Sequence, residues 1–263
     1  MRIGFVQFAP AFGQVRRNLG VIERLISGIR ADLFVLPELC TTGYCFASKH
    51  EVRKLAEPMD GLSIKFLQRL SRERRAALVA GFAERDGGRF YNSAVLIGPE
   101  GQLGLYRKTH LFWNEKRWFR PGDTGFQVFS LGNTKVGLMI CFDWIFPEAG
   151  RTLALKGAQI ICHPANLVLP HCPASMPVRA LENRVFTVTA NRIGTENRGG
   201  HKLHFIGNSL ICGPDRRMLA SAGEYEECVR VVAIDPAQAK DKRITPVNDL
   251  FRDRRPDFYA GSF

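Results

Sequence analysis

The stretch that decides the fold is "GLMICFDWIFPE", residues 137–148. Apolar residues run to Cys141, the chain turns polar within two positions, and Pro147-Glu148 then looks like the first turn of a helix. A strand that delivers a thiol to its end and passes directly into a helix is the unit of a layered α/β protein.

The same alternation extends outward in both directions. "RIGFVQF" (2–8) reads as a strand, and "VRRNLGVIERLISGIR" (15–30) carries Leu19, Ile22, Ile26 and Ile29 at helical spacing. "DLFVLPE" (32–38) is a continuous apolar run of the kind buried on both faces. A helix over 62–75 leads to a strand at 77–84, and 89–108 forms a hairpin turning at Pro99-Glu100-Gly101. "FQVFSL" (126–131) pairs with "KVGLMIC" (135–141), a helix over 146–156 precedes a strand at 158–164, and a helix near 173–183 leads into a strand at 185–194. Late strands follow at 205–214 and 228–235. Parallel-type runs and hairpins together predict a mixed sheet; the strand order cannot be read from this pattern. No repeat, low-complexity segment or linker divides the 263 residues, so one domain is expected.

Composition narrows the function classes. Hydrophobic residues make up 45% and charged residues 24%, as in a soluble globular chain. No apolar run approaches the ~18 residues that span a bilayer. The opening "MRIGFVQFAP" meets Pro10 too soon for a signal-peptide core, so cytosol is the expected compartment. The seven cysteines contain no CxxC pair and read as free thiols in a reducing environment. Cys40 and Cys45 are expected to be packing residues. The net charge of +12 is spread over segments with interleaved acids, and no nucleic-acid-binding motif accompanies it. It reads as a solvated surface, with no nucleic-acid or membrane partner expected.

Three polar residues close apolar runs: Glu38 after "LFVLP", Lys108 after "LGLYR", and Cys141 after "KVGLMI". In open α/β sheets, loops at the carboxyl ends of strands bring distant residues together. A carboxylate, an ammonium and a thiol make chemical sense as a set. The carboxylate can deprotonate the thiol, and the ammonium can stabilise the anion formed when sulfur adds to an unsaturated carbon. The turn after the strand offers the Phe142 N–H as a second donor.

The segments "LPELCTTGY" (36–44), "YRKTHLFWNEKRWFRPGD" (106–123) and "GLMICFDWIFPEAGR" (137–151) resemble the three signature segments of the nitrilase superfamily, the carbon–nitrogen hydrolases. "FYNSAVL" (90–96), "HPANLVLP" (163–170), "RALENRVFTVTANRIGTE" (179–196) and "NDLFRDRRPDFY" (248–259) are similar too, so nearly the whole chain is covered. The resemblance implies a four-layer αββα sandwich with mixed sheets, and a Glu–Lys–Cys triad at Glu38, Lys108 and Cys141. It also implies a second glutamate, Glu115, that orients the site, and no metal or organic cofactor. Dimerisation is implied as well, with 239–263 as a C-terminal arm on the partner.

Other readings compete. His163 and His171-Cys172 raise a metal site, but partners at ligand spacing are missing. His110 could serve a Cys–His hydrolase, being two residues from Lys108 and pointing the same way on an extended segment; it is expected instead to orient its neighbours. Among Trp113, Trp118 and Trp144, the last is the best placed to touch substrate, and Tyr44 and Asn166 are further candidates. A binding scaffold without turnover is the alternative outside catalysis. The expected activity is hydrolysis of small amides or carbamoyl compounds through a thioester. Nitrile hydrolysis is the alternative, because true nitrilases resemble Cys-Trp-Glu where this chain has Cys-Phe-Asp-Trp.

Overall fold

A computed structural model describes residues 1–259; residues 260–263, the end of the expected C-terminal arm, lie outside the described residues. In chain order the elements are β1 (Arg2–Gln7), α1 (Val15–Ile26), β2 (Leu33–Val35), α2 (Lys49–Leu55), α3 (Leu62–Arg74), β3 (Ala77–Asp86), β4 (Arg89–Gly98), β5 (Gly101–Arg107) and α4 (Glu115–Trp118). They continue with β6 (Val128–Leu131), β7 (Thr134–Leu138), α5 (Pro147–Leu155), β8 (Ile160–Ala165), α6 (His171–Asn183), β9 (Phe186–Asn191), β10 (Ile193–Arg198), β11 (His201–Ile206), β12 (Leu210–Cys212), β13 (Met218–Ser221) and β14 (Cys228–Ala233).

Two six-stranded sheets run β14-β1-β2-β3-β4-β5 and β13-β12-β9-β8-β7-β6. Each has a parallel centre, β1-β2-β3 and β7-β8-β9, flanked by antiparallel strands. The sheets are therefore mixed, as the run types predicted. They pack face to face, with β1 against β9 and β2 against β8 and β9. Strand alternation explains the layers. In β2, Leu33 and Val35 join the core between the sheets, while Phe34 joins the second core under α1 and α3. Leu19, Ile22 and Ile26 of α1 and Ile64, Leu67 and Leu70 of α3 fill that second core. Leu153 of α5 and Met176 and Ala180 of α6 cover the other sheet. The result is the αββα sandwich. Among the described residues, no helix is long and apolar enough to cross a membrane.

The differences from the sequence reading have local causes. The first helix stops at Ile26 because Ser27 turns extended, leaving Ile29 beyond it. The strand expected at 205–214 breaks in two at Gly207 and Asn208, both at φ of 56°, a left-handed pair that glycine and asparagine tolerate. The strand expected at 185–194 divides at Arg192, and β10 and β11 form a separate two-stranded ribbon.

Candidate active site

Each of the three polar residues stands just past its strand. β2 ends at Val35, and the chain continues alongside β3: the Leu36 N–H donates to the Val79 carbonyl, Gly81 N–H to Pro37, and Cys40 N–H to Gly81. Glu38 lies within this strapped segment. The approach is close enough to require glycine at position 81, where a Cβ would lie 2.5 Å from Glu38 Cα. Lys108 follows β5, its N–H donating to the Asn92 carbonyl at 2.8 Å. β7 ends at Leu138, three residues short of Cys141, which instead begins a 3-10 turn over Cys141–Ile145.

That turn is held open at some cost. Cys141 has φ of 42°, a left-handed conformation that costs a non-glycine residue roughly 1–2 kcal/mol. Asp143, fully buried, secures it: Oδ2 accepts the Ile140 N–H at 2.8 Å and the Tyr106 hydroxyl at 2.7 Å. Asp143 Oδ1 lies 2.7 Å from His110 Nδ1 and also accepts the His110 N–H. His163 Nε2 is 2.9 Å from the Cys141 carbonyl. A carbonyl only accepts, so Nε2 carries the proton and Nδ1 accepts from the Thr189 hydroxyl. Burial pulls the His163 pKa down to about 4, which keeps that neutral tautomer.

The ionisable groups meet in a fully buried cluster. Lys108 Nζ donates to Glu38 Oε1 at 2.7 Å and to Glu115 Oε1 at 2.8 Å. Asn92 Nδ2 donates to Glu38 Oε1 at 2.7 Å and reaches Glu115 Oε2 at 3.3 Å. The Tyr44 hydroxyl donates to Glu115 Oε1 at 2.7 Å. Glu38 Oε2 is buried without a hydrogen-bond partner among the described residues.

Burial alone would lower the Lys108 pKa, but the charges of Glu115 and Glu38 outweigh it and hold the ammonium form. Burial pushes Glu115 up to about 7 against the pull of Lys108. The Cys141 thiol is driven well above its ordinary value, first by burial and then by the Glu38 charge; Lys108 and the Asn166 main-chain N–H partly offset this. The resting sulfur is therefore a thiol that needs a base.

Cys141 opens into a cleft whose walls are largely apolar: Phe112, Phe142, Trp144, Ile145, Leu167 and Val168, with Asn166 and His171 as polar members. Of the residues singled out in the sequence, Phe142, Trp144 and Asn166 line it together with Cys141. Tyr44 does not; with Glu115, Trp113 and Trp118 it lines a different cavity. His110 does not share the direction of Lys108, because the chain bends after β5, and its ring stacks on Phe146 at 3.7 Å. His163 is committed to the Cys141 carbonyl and Cys172 is buried in the core. Cys40 and Cys45 are buried packing residues.

Sequence reasoning missed Asn92, Asp143 and a buried ion pair. Arg192 pairs with Glu196, whose carboxylate accepts the N–H groups of Tyr44 and Cys45 and so ties down the loop after Glu38. Asn92 and Asp143 were each visible as a polar residue inside an apolar stretch.

The carbon-nitrogen hydrolase family description matches residues 2–244. A Pyrococcus abyssi protein named nitrilase is 51% identical, the match covering 98% of this chain and 99% of that one. An (R)-stereoselective amidase of Pseudomonas sp. is 38% identical, over 97% of this chain and 92% of its own. Among solved structures, a variant of the amidase from Nesterenkonia sp. AN1 superposes with a TM-score of 0.79 at 27% identity, covering 98% of this chain and 94% of its own. In that structure the acetamide moiety of fluoroacetamide is covalently added at the active-site cysteine. By fold and by likeness along nearly its whole length, the chain belongs to the carbon-nitrogen hydrolase family of the nitrilase superfamily, hydrolases of non-peptide carbon–nitrogen bonds.

Proposed function

We propose that Cys141, Glu38 and Lys108 are the catalytic set of a hydrolase of small carboxamides and carbamoyl compounds with an uncharged, apolar acyl group. The observation that carries this reading is Glu38 Oε2, buried and unpaired among the described residues while Oε1 takes both Lys108 and Asn92. A carboxylate anchored through one oxygen keeps the other as a general base. Support also comes from the Nesterenkonia amidase, whose active-site cysteine takes up an acetamide moiety.

The steps follow from these groups. Glu38 takes the Cys141 proton and the sulfur adds to the substrate carbonyl carbon. The oxygen becomes an anion beside the Lys108 ammonium and the Phe142 N–H, which stands second in its 3-10 turn with no intrahelical acceptor before it. Glu38 returns the proton to the departing nitrogen, the carbon–nitrogen bond breaks, and ammonia or an amine leaves a thioester. Glu38 then deprotonates water, whose oxygen adds to the thioester. Collapse expels the sulfur, which recovers its proton from Glu38 as the acid leaves. Glu115 and Tyr44 hold Lys108 in place and do not exchange atoms with substrate. No step uses a metal or organic cofactor.

The apolar walls set the acyl preference, since a charged tail there would lose its hydration without a partner. A second reading, nitrile hydrolysis, is favoured by the relative named nitrilase. A nitrile would give a thioimidate that water converts to the same thioester and ammonia. The setting is read as a cytosolic homodimer. Seven unpaired, buried cysteines support the reducing compartment. Exposed Ile145, Leu155, Val178 and Leu181 beside and along α5 and α6 support a self-association face, and the segment from residue 239 onward is read as its arm.

The test is ammonia release from paired amides and nitriles of one apolar acyl group. The amide should be turned over faster, and Cys141→Ala should release none while melting close to the parent protein. Ammonia from Cys141→Ala, or no turnover of either series, would refute the proposal.

A further inference from the structure

Two asparagines buried away from the cleft have both amide atoms bonded. Asn18 accepts the Ala11 N–H at 2.8 Å and donates to the Ala11 and Thr41 carbonyls at 2.9 Å. Asn191 accepts the Leu167 N–H at 2.8 Å and donates to the Gly207 carbonyl. Asn166 is different. It is 3% exposed, and both its Oδ1 and its Nδ2 are buried with no hydrogen-bond partner among the described residues. Because both atoms are unpartnered, the conclusion does not depend on which way the amide is turned.

Its position makes that vacancy chemically specific. Asn166 follows β8 and lines the apolar cleft together with Cys141. A buried amide left without partners on both atoms is rare and calls for an explanation, which a ligand seated beside Cys141 would supply.

We infer that Asn166 selects the scissile group of the substrate: its amide pairs with a carboxamide or carbamoyl group, which presents an N–H donor and a carbonyl acceptor together, in preference to a nitrile. This rests on the functional reading above and deepens it. Oδ1 accepts the substrate N–H and Nδ2 donates to a carbonyl oxygen. A nitrile nitrogen only accepts, so it satisfies Nδ2 and leaves Oδ1 buried and bare. Sites built to hydrogen-bond a substrate N–H discriminate strongly against analogues that lack it, because the protein group is then left unpaired. Asn166 thus biases a cysteine that can attack either group towards amides.

The experiment compares Asn166→Leu, of similar volume and without polar atoms, with the parent protein on an amide and nitrile of the same apolar acyl group. The readout is the amide-to-nitrile ratio of kcat/KM, with the nitrile measured as a competitive inhibitor if it is not turned over. The ratio should fall about 30-fold, equivalent to about 2 kcal/mol at ~1.4 kcal/mol per decade. A general folding or positioning defect lowers both rates and leaves the ratio alone, so a ratio unchanged within about threefold overturns the inference. If thermal melting shows that Asn166→Leu does not fold, Asn166→Thr, which keeps one hydroxyl donor and acceptor, should give a smaller fall, and an unchanged ratio there is equally decisive. Loss of all ammonia release in Cys141→Ala is established first. If the parent protein acts on neither compound, the functional reading itself fails and this inference falls with it.

Discussion

Replacing Lys108 with methionine removes one ammonium and fills its place with an unbranched side chain of similar reach. The two carboxylates it holds, at 2.7 and 2.8 Å, then have no cation, and all three side chains are 3% exposed or less. Removing one partner from a buried ion pair costs about 3–5 kcal/mol, because the remaining charge is left desolvated. In a chain of this size that corresponds to a fall in Tm of roughly 6–20 °C. The loss should depend on pH. Without Lys108, the pull that offsets burial at Glu115 is gone, and its folded-state pKa rises further above the ordinary 4.5. Groups raised in this way contribute stability that is fully present below the unfolded value and is lost as pH rises through the folded one. Glu115 already behaves so in the parent protein, with a window from 4.5 to about 7. The deficit of Lys108→Met should therefore be small in acid and grow towards neutrality, by up to ~1.4 kcal/mol per pH unit for each extra proton the folded variant retains. Urea denaturation at about pH 5 and about pH 8 measures it, and adding Glu38→Gln should recover part of the loss at the higher pH. A deficit below about 1 kcal/mol, or one that does not change with pH, would refute the reasoning.

Other perturbations probe the supports of the site. In Gly81→Ala, the new Cβ meets Glu38 Cα at 2.5 Å and Leu39 N at 2.6 Å, backbone that cannot swing aside. Steady-state kinetics should show kcat/KM down about 100-fold from displacement of Glu38, and an unchanged value would contradict its placement. Glu196→Gln strands the buried Arg192 and should cost about 3–5 kcal/mol by denaturant unfolding. Glu51→Gln, which breaks the more exposed pair with Arg198, should cost less than about 1 kcal/mol in the same assay. Tyr44→Phe removes a hydrogen bond to the charged form of Glu115, so the acid limb of the kcat/KM profile should move up by roughly one pH unit. An unmoved limb would mean that Glu115 does not govern it.

What was legible in the sequence was what interrupts a pattern. Glu38, Lys108 and Cys141 each close an apolar run, and the strands that present them end within a few residues, at Val35, Arg107 and Leu138. A mix of parallel and antiparallel pairing followed from the same runs, while the strand order did not. The partners that orient the site were harder to read, because their roles depend on contacts across the chain. Tyr44 meets Glu115 across 71 residues, and the Glu196 carboxylate holds the Tyr44 amide across 152. Asn92 sits inside β4, where alternation alone cannot say which neighbour its amide faces. The short helix α2 buries only Val52, too little apolar periodicity to announce itself, although Ser48 caps it through the Glu51 N–H. His110 depended on a bend that no nearby glycine or proline signals.

The central claim is that the Cys141 sulfur bonds covalently to the acyl carbon. The most direct measurement is mass spectrometry of protein acid-quenched during turnover of an apolar amide, with peptide mapping across all seven cysteines. The expected result is an added acyl mass confined to the peptide carrying Cys141, absent in Cys141→Ala. Turnover with no adduct in a rapid quench series, or an adduct on another cysteine that persists in Cys141→Ala, would contradict the account.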